Sequence, residues 1–176
     1  MLHKKRSFVA LSAAAGALLL ASVSLAADKS GSPDSKFVLE AAGGGMAEVE
    51  MGKLAADKGT DPDVKKFGQR MVDDHSKAND ELKQIAGQKG ITLPADVPAA
   101  EKAKIDKMSK MTGAAFDKAY MADMVRDHRE DVAAFRKESK SGKDSDVQSF
   151  AGKTLPTLED HLKMAEETNA KVGGKK

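Results

Sequence analysis

Cysteine is absent from all 176 residues, tryptophan is absent, and tyrosine occurs once. Without a thiol the chain forms no disulfide and has no lipoprotein attachment point, so its stability must come from core packing. Aromatics are scarce, with six Phe beside the single Tyr, while Ala and Met are common. That palette suits closely packed helices better than a sheet, where aromatic and β-branched residues concentrate. No window alternates apolar and polar residues over a useful length, so no strand is predicted. A strong surplus of one charge is also missing: 29 basic residues face 27 acidic ones. Charges interspersed in that balance leave no footprint for nucleic acid. The sequence shows no lid, nucleophile motif or phosphate loop, which argues against an enzyme. The length is that of one domain.

One long apolar run is present, and it stands at the start. Lys4, Lys5 and Arg6 precede an unbroken apolar and small-residue stretch from Phe8 to Ala21, followed by Ser24-Leu25-Ala26. A basic region, an apolar run and small residues at a cleavage position read as a secretory signal peptide over residues 1–26. The run is shorter than the ~20 apolar residues of a membrane-spanning helix. Cleavage after Ala26 would leave no transmembrane segment and a periplasmic or secreted protein. The leader removes three basic residues, taking 29 down to 26 against 27 acidic ones, so the remainder is near neutral. About 150 residues remain, enough to bury roughly two-thirds of the unfolded surface.

After a small, polar lead-in (27–34), helical periodicity takes over, and residues 35–172 read as the folded domain. A first helix is predicted from Ser35, a plausible N-cap, to about Asp57, with Gly43-Gly44-Gly45 either breaking it locally or admitting a close neighbour. Gly59-Thr60-Asp61-Pro62 is a stop-and-restart, with Asp61 capping and Pro62 in the first helical position. The second helix runs to about Gly87, with Val64, Phe67, Met71, His75, Leu82 and Ile85 on one face. A connection of roughly 25 residues follows, too long for a hairpin, with a short amphipathic helix within Pro98–Met111. The third long helix covers about Gly113 to Ser139, and the fourth about Ser145 to Ala170, where Pro156 is expected to cause a kink. Two helical pairs joined by a long crossover form the arrangement of ferritin-like four-helix bundles. Met71-Val72-Asp73-Asp74-His75, Met124-Val125-Arg126-Asp127-His128 and Leu158-Glu159-Asp160-His161 echo one another.

With His3 in the leader, three histidines remain, one on each of the last three long helices. His75, His128 and His161 all fall on the apolar stripe near mid-helix, so they should lie at similar depth. Glu48 is the acid of the first helix nearest that level and face, whereas Glu40 and Glu50 fall outside it. Three imidazoles and a carboxylate form a plausible site for a transition metal such as zinc or iron. The alternative is a buried polar layer in which these side chains bond to one another and fix helix register. Asp74, Asp127 and Asp160, each just before a histidine, lie about 100° round the helix from it. Each is a candidate to orient a histidine of a neighbouring helix or, more simply, a solvated surface carboxylate. The Met stripe (Met71, Met121, Met124, Met164) reads as core packing.

These residues resemble a family. Glu48-Val49-Glu50-Met51-Gly52-Lys53-Leu54-Ala55, Phe116-Asp117-Lys118-Ala119-Tyr120 and Leu155-Pro156-Thr157 joined to the three histidine motifs are similar to domain of unknown function 4142, a set of exported bacterial proteins. The resemblance covers about 36–168. It implies a ferritin-like up-down four-helix bundle and an envelope location, with no established activity. The di-iron pattern of ferritins needs Glu three residues before His on two helices. Here Val72, Val125 and Leu158 hold that position, so ferroxidase or iron-storage chemistry is not expected. The leading expectation is a non-enzymatic bundle that binds a transition metal through Glu48, His75, His128 and His161. Its rivals are a structural or partner-binding envelope protein and a metal-dependent enzyme. Expected partners are a second copy of the chain or an envelope protein.

Overall fold

The computed structural model describes residues 31–174. The expected leader, residues 1–26, and residues 27–30 lie outside the described residues. The described residues are all-helical: α1 (Pro33–Lys58), α2 (Pro62–Lys89), α3 (Ala99–Ser109), α4 (Gly113–Ser141) and α5 (Ser145–Gly174). There is no strand among the described residues, and none of their helices is long and apolar enough to cross a membrane.

Local chemistry sets the helix ends. The first helix begins earlier than its periodicity suggests, because Ser32 rather than Ser35 is the N-cap. The Ser32 hydroxyl accepts from the Ser35 N–H at 3.0 Å, and Pro33 takes the first position, where a missing N–H costs nothing. Asp61 caps α2 by accepting from the Asp63 N–H at 2.9 Å. Gly90 ends α2 in the left-handed conformation, φ 68°, which a residue with a Cβ seldom adopts. The glycine run does not break α1, which continues through it. It admits neighbours instead: a Cβ on Gly43 would meet the Pro98 ring at 2.8 Å, and one on Gly45 would strike the Asn79 amide. The fourth long helix runs unbroken through Pro156.

α1 packs along α2 and α4 along α5, and the two pairs meet through α2 with α5 and α1 with α4. Polar contacts lock the ends. Asp34, at the start of α1, accepts from the N–H groups of Lys143 (3.0 Å) and Asp144 (2.7 Å) in the α4–α5 turn. Asp117, at the start of α4, accepts from those of Thr60 (3.0 Å) and Asp61 (2.9 Å) in the α1–α2 turn. Lys89 at the end of α2 pairs with Asp144 and Asp146 at the start of α5, and Lys171 near the end of α5 pairs with Asp63 near the start of α2.

This reciprocity is written in the sequence as a repeat offset by 83 positions. Asp34, Glu48, Gly59, Asp61, Asp63, Val64 and Phe67 stand 83 before Asp117, Asp131, Gly142, Asp144, Asp146, Val147 and Phe150. The two helical pairs are therefore variations on one unit.

The core is divided in two. One cluster gathers Met51, Phe67, Met71, Phe116, Tyr120 and Met124. The other gathers Val38, Leu82, Phe135, Phe150 and Leu158. Along every long helix the crossing from one cluster to the other falls next to a polar residue: Glu48 on α1, His75 on α2, His128 on α4 and His161 on α5.

Candidate metal centre

At that crossing the three imidazoles meet. Ring centroids lie 5.8 Å apart for His75 and His128, 5.4 Å for His75 and His161, and 5.3 Å for His128 and His161. One nitrogen from each ring lies within 4.8 Å of one from each of the others. His128 and His161 are fully buried and His75 is 6% exposed. The Phe67 ring stands 6.3 Å from both His128 and His161 and forms an apolar wall beside them.

Each ring is held by one nitrogen. His128 Nδ1 donates to the Met124 carbonyl one turn back at 3.0 Å. His161 Nε2 donates to Asp74 Oδ2 at 2.9 Å. His75 Nδ1 faces Glu48 Oε2 at 3.0 Å. The opposite nitrogens, His75 Nε2, His128 Nε2 and His161 Nδ1, are buried with no hydrogen-bond partner, as is Glu48 Oε1. In neutral imidazole the nitrogen that does not donate carries a lone pair, and the partner of one nitrogen fixes which that is. The partners of His128 and His161 leave lone pairs on His128 Nε2 and His161 Nδ1, and an ionised Glu48 accepting from His75 Nδ1 leaves a third on His75 Nε2. Glu48 Oε1 stands 3.5 Å from His128 Nε2. Leaving such groups unmet costs ~1–3 kcal/mol each, so the arrangement calls for an electron-pair acceptor.

Besides Glu48, which meets His75 and His128, only Asp74 of the carboxylates flagged in sequence contacts an imidazole, and it does so across helices, from α2 to His161 on α5. Burial would raise the Asp74 pKa, but the hydrogen bonds from His161 and Arg70 outweigh it and hold the carboxyl below its usual value. Asp127 turns to Lys104 at 3.1 Å and Arg126 at 3.2 Å instead. Asp160 is exposed. What a neighbouring helix offers decides these fates, and that is not a property of the spacing alone.

Asp131 was missed. It lies three residues after His128 on α4, and its carboxyl hydrogen-bonds that of Glu48. Burial, then the Glu48 charge, raises Asp131 well above the ordinary carboxylate range. Burial pushes Glu48 up to about 7 despite the lowering influence of His128. The imidazoles shift the other way. Burial pushes His75 down to about 4, and His161 down to about 4 against the pull of Asp74. His128 is lowered too, chiefly by burial. Desolvation thus favours neutral forms throughout, with protons on the carboxyl pair and none to spare on the rings.

The two sets of shifts oppose each other in their effect on stability. Between pH ~6.5 and 4 the unfolded chain takes up histidine protons that the folded chain refuses, so this contribution falls on acidification. Between 4.5 and about 7 the folded chain keeps the Glu48 proton that the unfolded chain releases, so this contribution falls as pH rises. Glu48→Gln removes the second effect, together with the part of the Asp131 rise that the Glu48 charge causes. Relative to wild type, the chelator-treated variant is expected to gain stability with rising pH by up to ~1.4 kcal/mol per unit over that window, one proton's worth. Urea unfolding at pH 5, 6 and 7 measures this. A difference between the two proteins that ignores pH contradicts the assignment of the proton to Glu48.

The profile of the family described as Domain of unknown function (DUF4142) matches residues 20–168. No curated protein matches the chain, and no solved structure matches it. The chain is a member of the DUF4142 family, a domain of unknown function.

Proposed function

We propose that this chain is an exported, ferritin-like antiparallel four-helix bundle. In this reading it binds one first-row transition-metal ion, zinc or iron, through His75, His128 and His161, with Glu48 and Asp131 as the carboxylate side of the site. The single observation that carries it is the trio of buried, unpartnered ring nitrogens, each on an imidazole whose other nitrogen is already held. That division of labour, one nitrogen for the metal and one for an orienting partner, is the usual state of a metal-ligating histidine. Charge supports it as well, because a dication meeting two carboxylates leaves the buried site near neutral. The linked ends of α2 with α5 and of α1 with α4 support the antiparallel arrangement. Export rests on the leader, and recovery of an envelope protein beginning at Ala27 tests it, with retention of Met1 as the contrary result.

The rival reading, a polar layer that only fixes register, draws on the contacts from Glu48 to His75 and from Asp74 to His161. It leaves His75 Nε2 and His161 Nδ1 unmet even where a proton on Glu48 Oε1, 3.5 Å away, serves His128 Nε2, and so explains less. The test is equilibrium titration of untagged, chelator-stripped protein with Co²⁺ or Zn²⁺. One ion per chain is expected, and no bound ion at any ratio would sink the proposal. Asp74→Asn is expected to weaken binding about 10–100-fold while preserving the one-to-one ratio, as loss of an orienting partner does elsewhere.

A further inference from the structure

A cleft of about 350 Å³ opens between α1, α3 and α4 directly outside the carboxylate pair, and Glu48 and Asp131 line it. The same two residues line a second, inner cavity of about 30 Å³ that reaches His75. The pair therefore stands between the surface and the histidines, bordering both spaces. Glu48 is 7% exposed, and its Oε1 faces His128 Nε2 at 3.5 Å. On the cleft wall, Asp123 is 6% exposed and its Oδ2 is buried without a hydrogen-bond partner.

Outward from the pair, the cleft walls carry Glu101, Asp123 and Asp127. Two cations sit among them: the Arg126 guanidinium, which pairs with Asp123 and Asp127, and one ammonium. Lys104 Nζ, on the crossover helix α3, lies 2.9 Å from Glu101, 3.1 Å from Asp127 and 3.8 Å from Asp123. Burial alone would lower the lysine, but its bond with Glu101 and the charges of Asp127 and Asp123 hold it above its usual value. Three carboxylates thus converge on a cation already, and that cation is tethered by a flexible stem that is 28% exposed at the side chain. A hydrated divalent ion has the same sign and a stronger claim on oxygen ligands.

We propose that this cleft is the route by which a hydrated divalent cation reaches the histidines, with Lys104 as a latch occupying the cation's place at the mouth. The proposal rests on the metal-binding reading given above. An acidic cleft with low-dielectric walls concentrates cations and raises their association rate, and salt weakens the effect. Lys104 opposes that field where Glu101, Asp123 and Asp127 meet. It does not touch the histidines, so its removal alters how fast metal enters and leaves more than how much is bound.

Stopped-flow mixing of the full, untagged protein with Co²⁺ at low ionic strength separates the outcomes. Lys104→Glu is expected to raise the association rate about tenfold, and Asp127→Asn to lower it severalfold, with one ion per chain in both. Lys153→Glu makes the same change in net charge on an exposed α5 side chain paired with Glu81, and is expected to change the rate less than about twofold. Far-ultraviolet circular dichroism confirms that each variant is folded. If Lys104→Glu and Lys153→Glu accelerate binding equally, or neither does, the route is overturned while the metal site stands. If wild-type protein binds no Co²⁺ at equilibrium, both readings fall together.

Discussion

His128→Leu is expected to abolish the rise in melting temperature that metal confers on the wild-type chain. A ligand that binds only the folded state adds about 4 kcal/mol of stability at a free concentration 1,000 times its dissociation constant. For a domain of this size that corresponds to roughly 8–16 °C. The His128 ring is fully buried, its Nδ1 is committed to the Met124 carbonyl, and its Nε2 is one of the three unmet acceptors. Leucine keeps the apolar bulk and deletes that acceptor. Replacing a whole buried polar cluster by apolar side chains is often neutral, but removing one member leaves its neighbour, here Glu48 Oε1 at 3.5 Å, unmet. The metal-free variant is therefore expected to melt below the wild-type temperature, and each protein is compared with itself with and without metal. The two halves of the result discriminate between readings. A polar layer without metal predicts no metal-dependent rise in either protein. Surface binding predicts an equal rise in both. Differential scanning calorimetry with and without Zn²⁺ decides among the three.

Gly68→Ala should lower stability by about 2–3 kcal/mol, the range for forcing atoms into a filled contact, and the melting temperature by ~5–10 °C. The reason lies where α1 and α2 cross. A Cβ on Gly68 would stand 2.7 Å from the Gly52 carbonyl oxygen and 2.7 Å from the Ala55 Cβ, and one on Gly52 would stand 2.7 Å from the Gly68 carbonyl. Two of those obstacles are backbone, so the helices must separate rather than a side chain swing aside. The ~1 kcal/mol that alanine gains over glycine in helix propensity does not offset this. Separation also reaches the site. Glu48 lies one turn before Gly52, and its Oε2 meets His75 Nδ1 of α2 at 3.0 Å. Metal affinity is therefore expected to fall along with stability. Gly87→Ala is the control: a Cβ there meets nothing within 4 Å, so that variant is expected to match or exceed wild type. Thermal and urea unfolding of the three proteins test the pair, and a Gly68→Ala protein as stable as wild type contradicts close helix contact as the reason for glycine.

The physical signals in the chain differ in how far they carry. Helix ends were legible at Gly59 and Pro62, where punctuation is local, whereas α2 runs past the expected end near Gly87 to Lys89 and α4 past Ser139 to Ser141. Those elements need only their own residues to form. The start of α1 was misplaced by a few positions because two serines, Ser32 and Ser35, both suit an N-cap, and Pro33 settles the choice for the first. The three histidines and Glu48 were legible because a 3.6-residue period reports which face is buried, and the boundary between two core clusters runs through those same positions. Asp131 was not found. The histidine motifs of α2, α4 and α5 echo one another only locally, and the ferritin pattern points three residues before each histidine, not after it. The unit that repeats is instead a whole helical pair, offset by 83 positions, and on that offset Asp131 is the counterpart of Glu48. The sequence offered Asp74, Asp127 and Asp160 equally as partners of a neighbouring histidine, and it could not tell that only Asp74 meets one, because that depends on which side chains the adjacent helix presents.

The central claim is that three imidazoles from three helices hold one metal ion between two halves of the core. X-ray absorption at the metal edge of zinc-loaded, untagged protein addresses it most directly. The expected spectrum shows a shell of nitrogen or oxygen at ~2.0–2.1 Å, with the outer-shell scattering of three imidazoles. A shell of oxygen alone, without imidazole scattering, would place the ion on surface carboxylates and contradict the account.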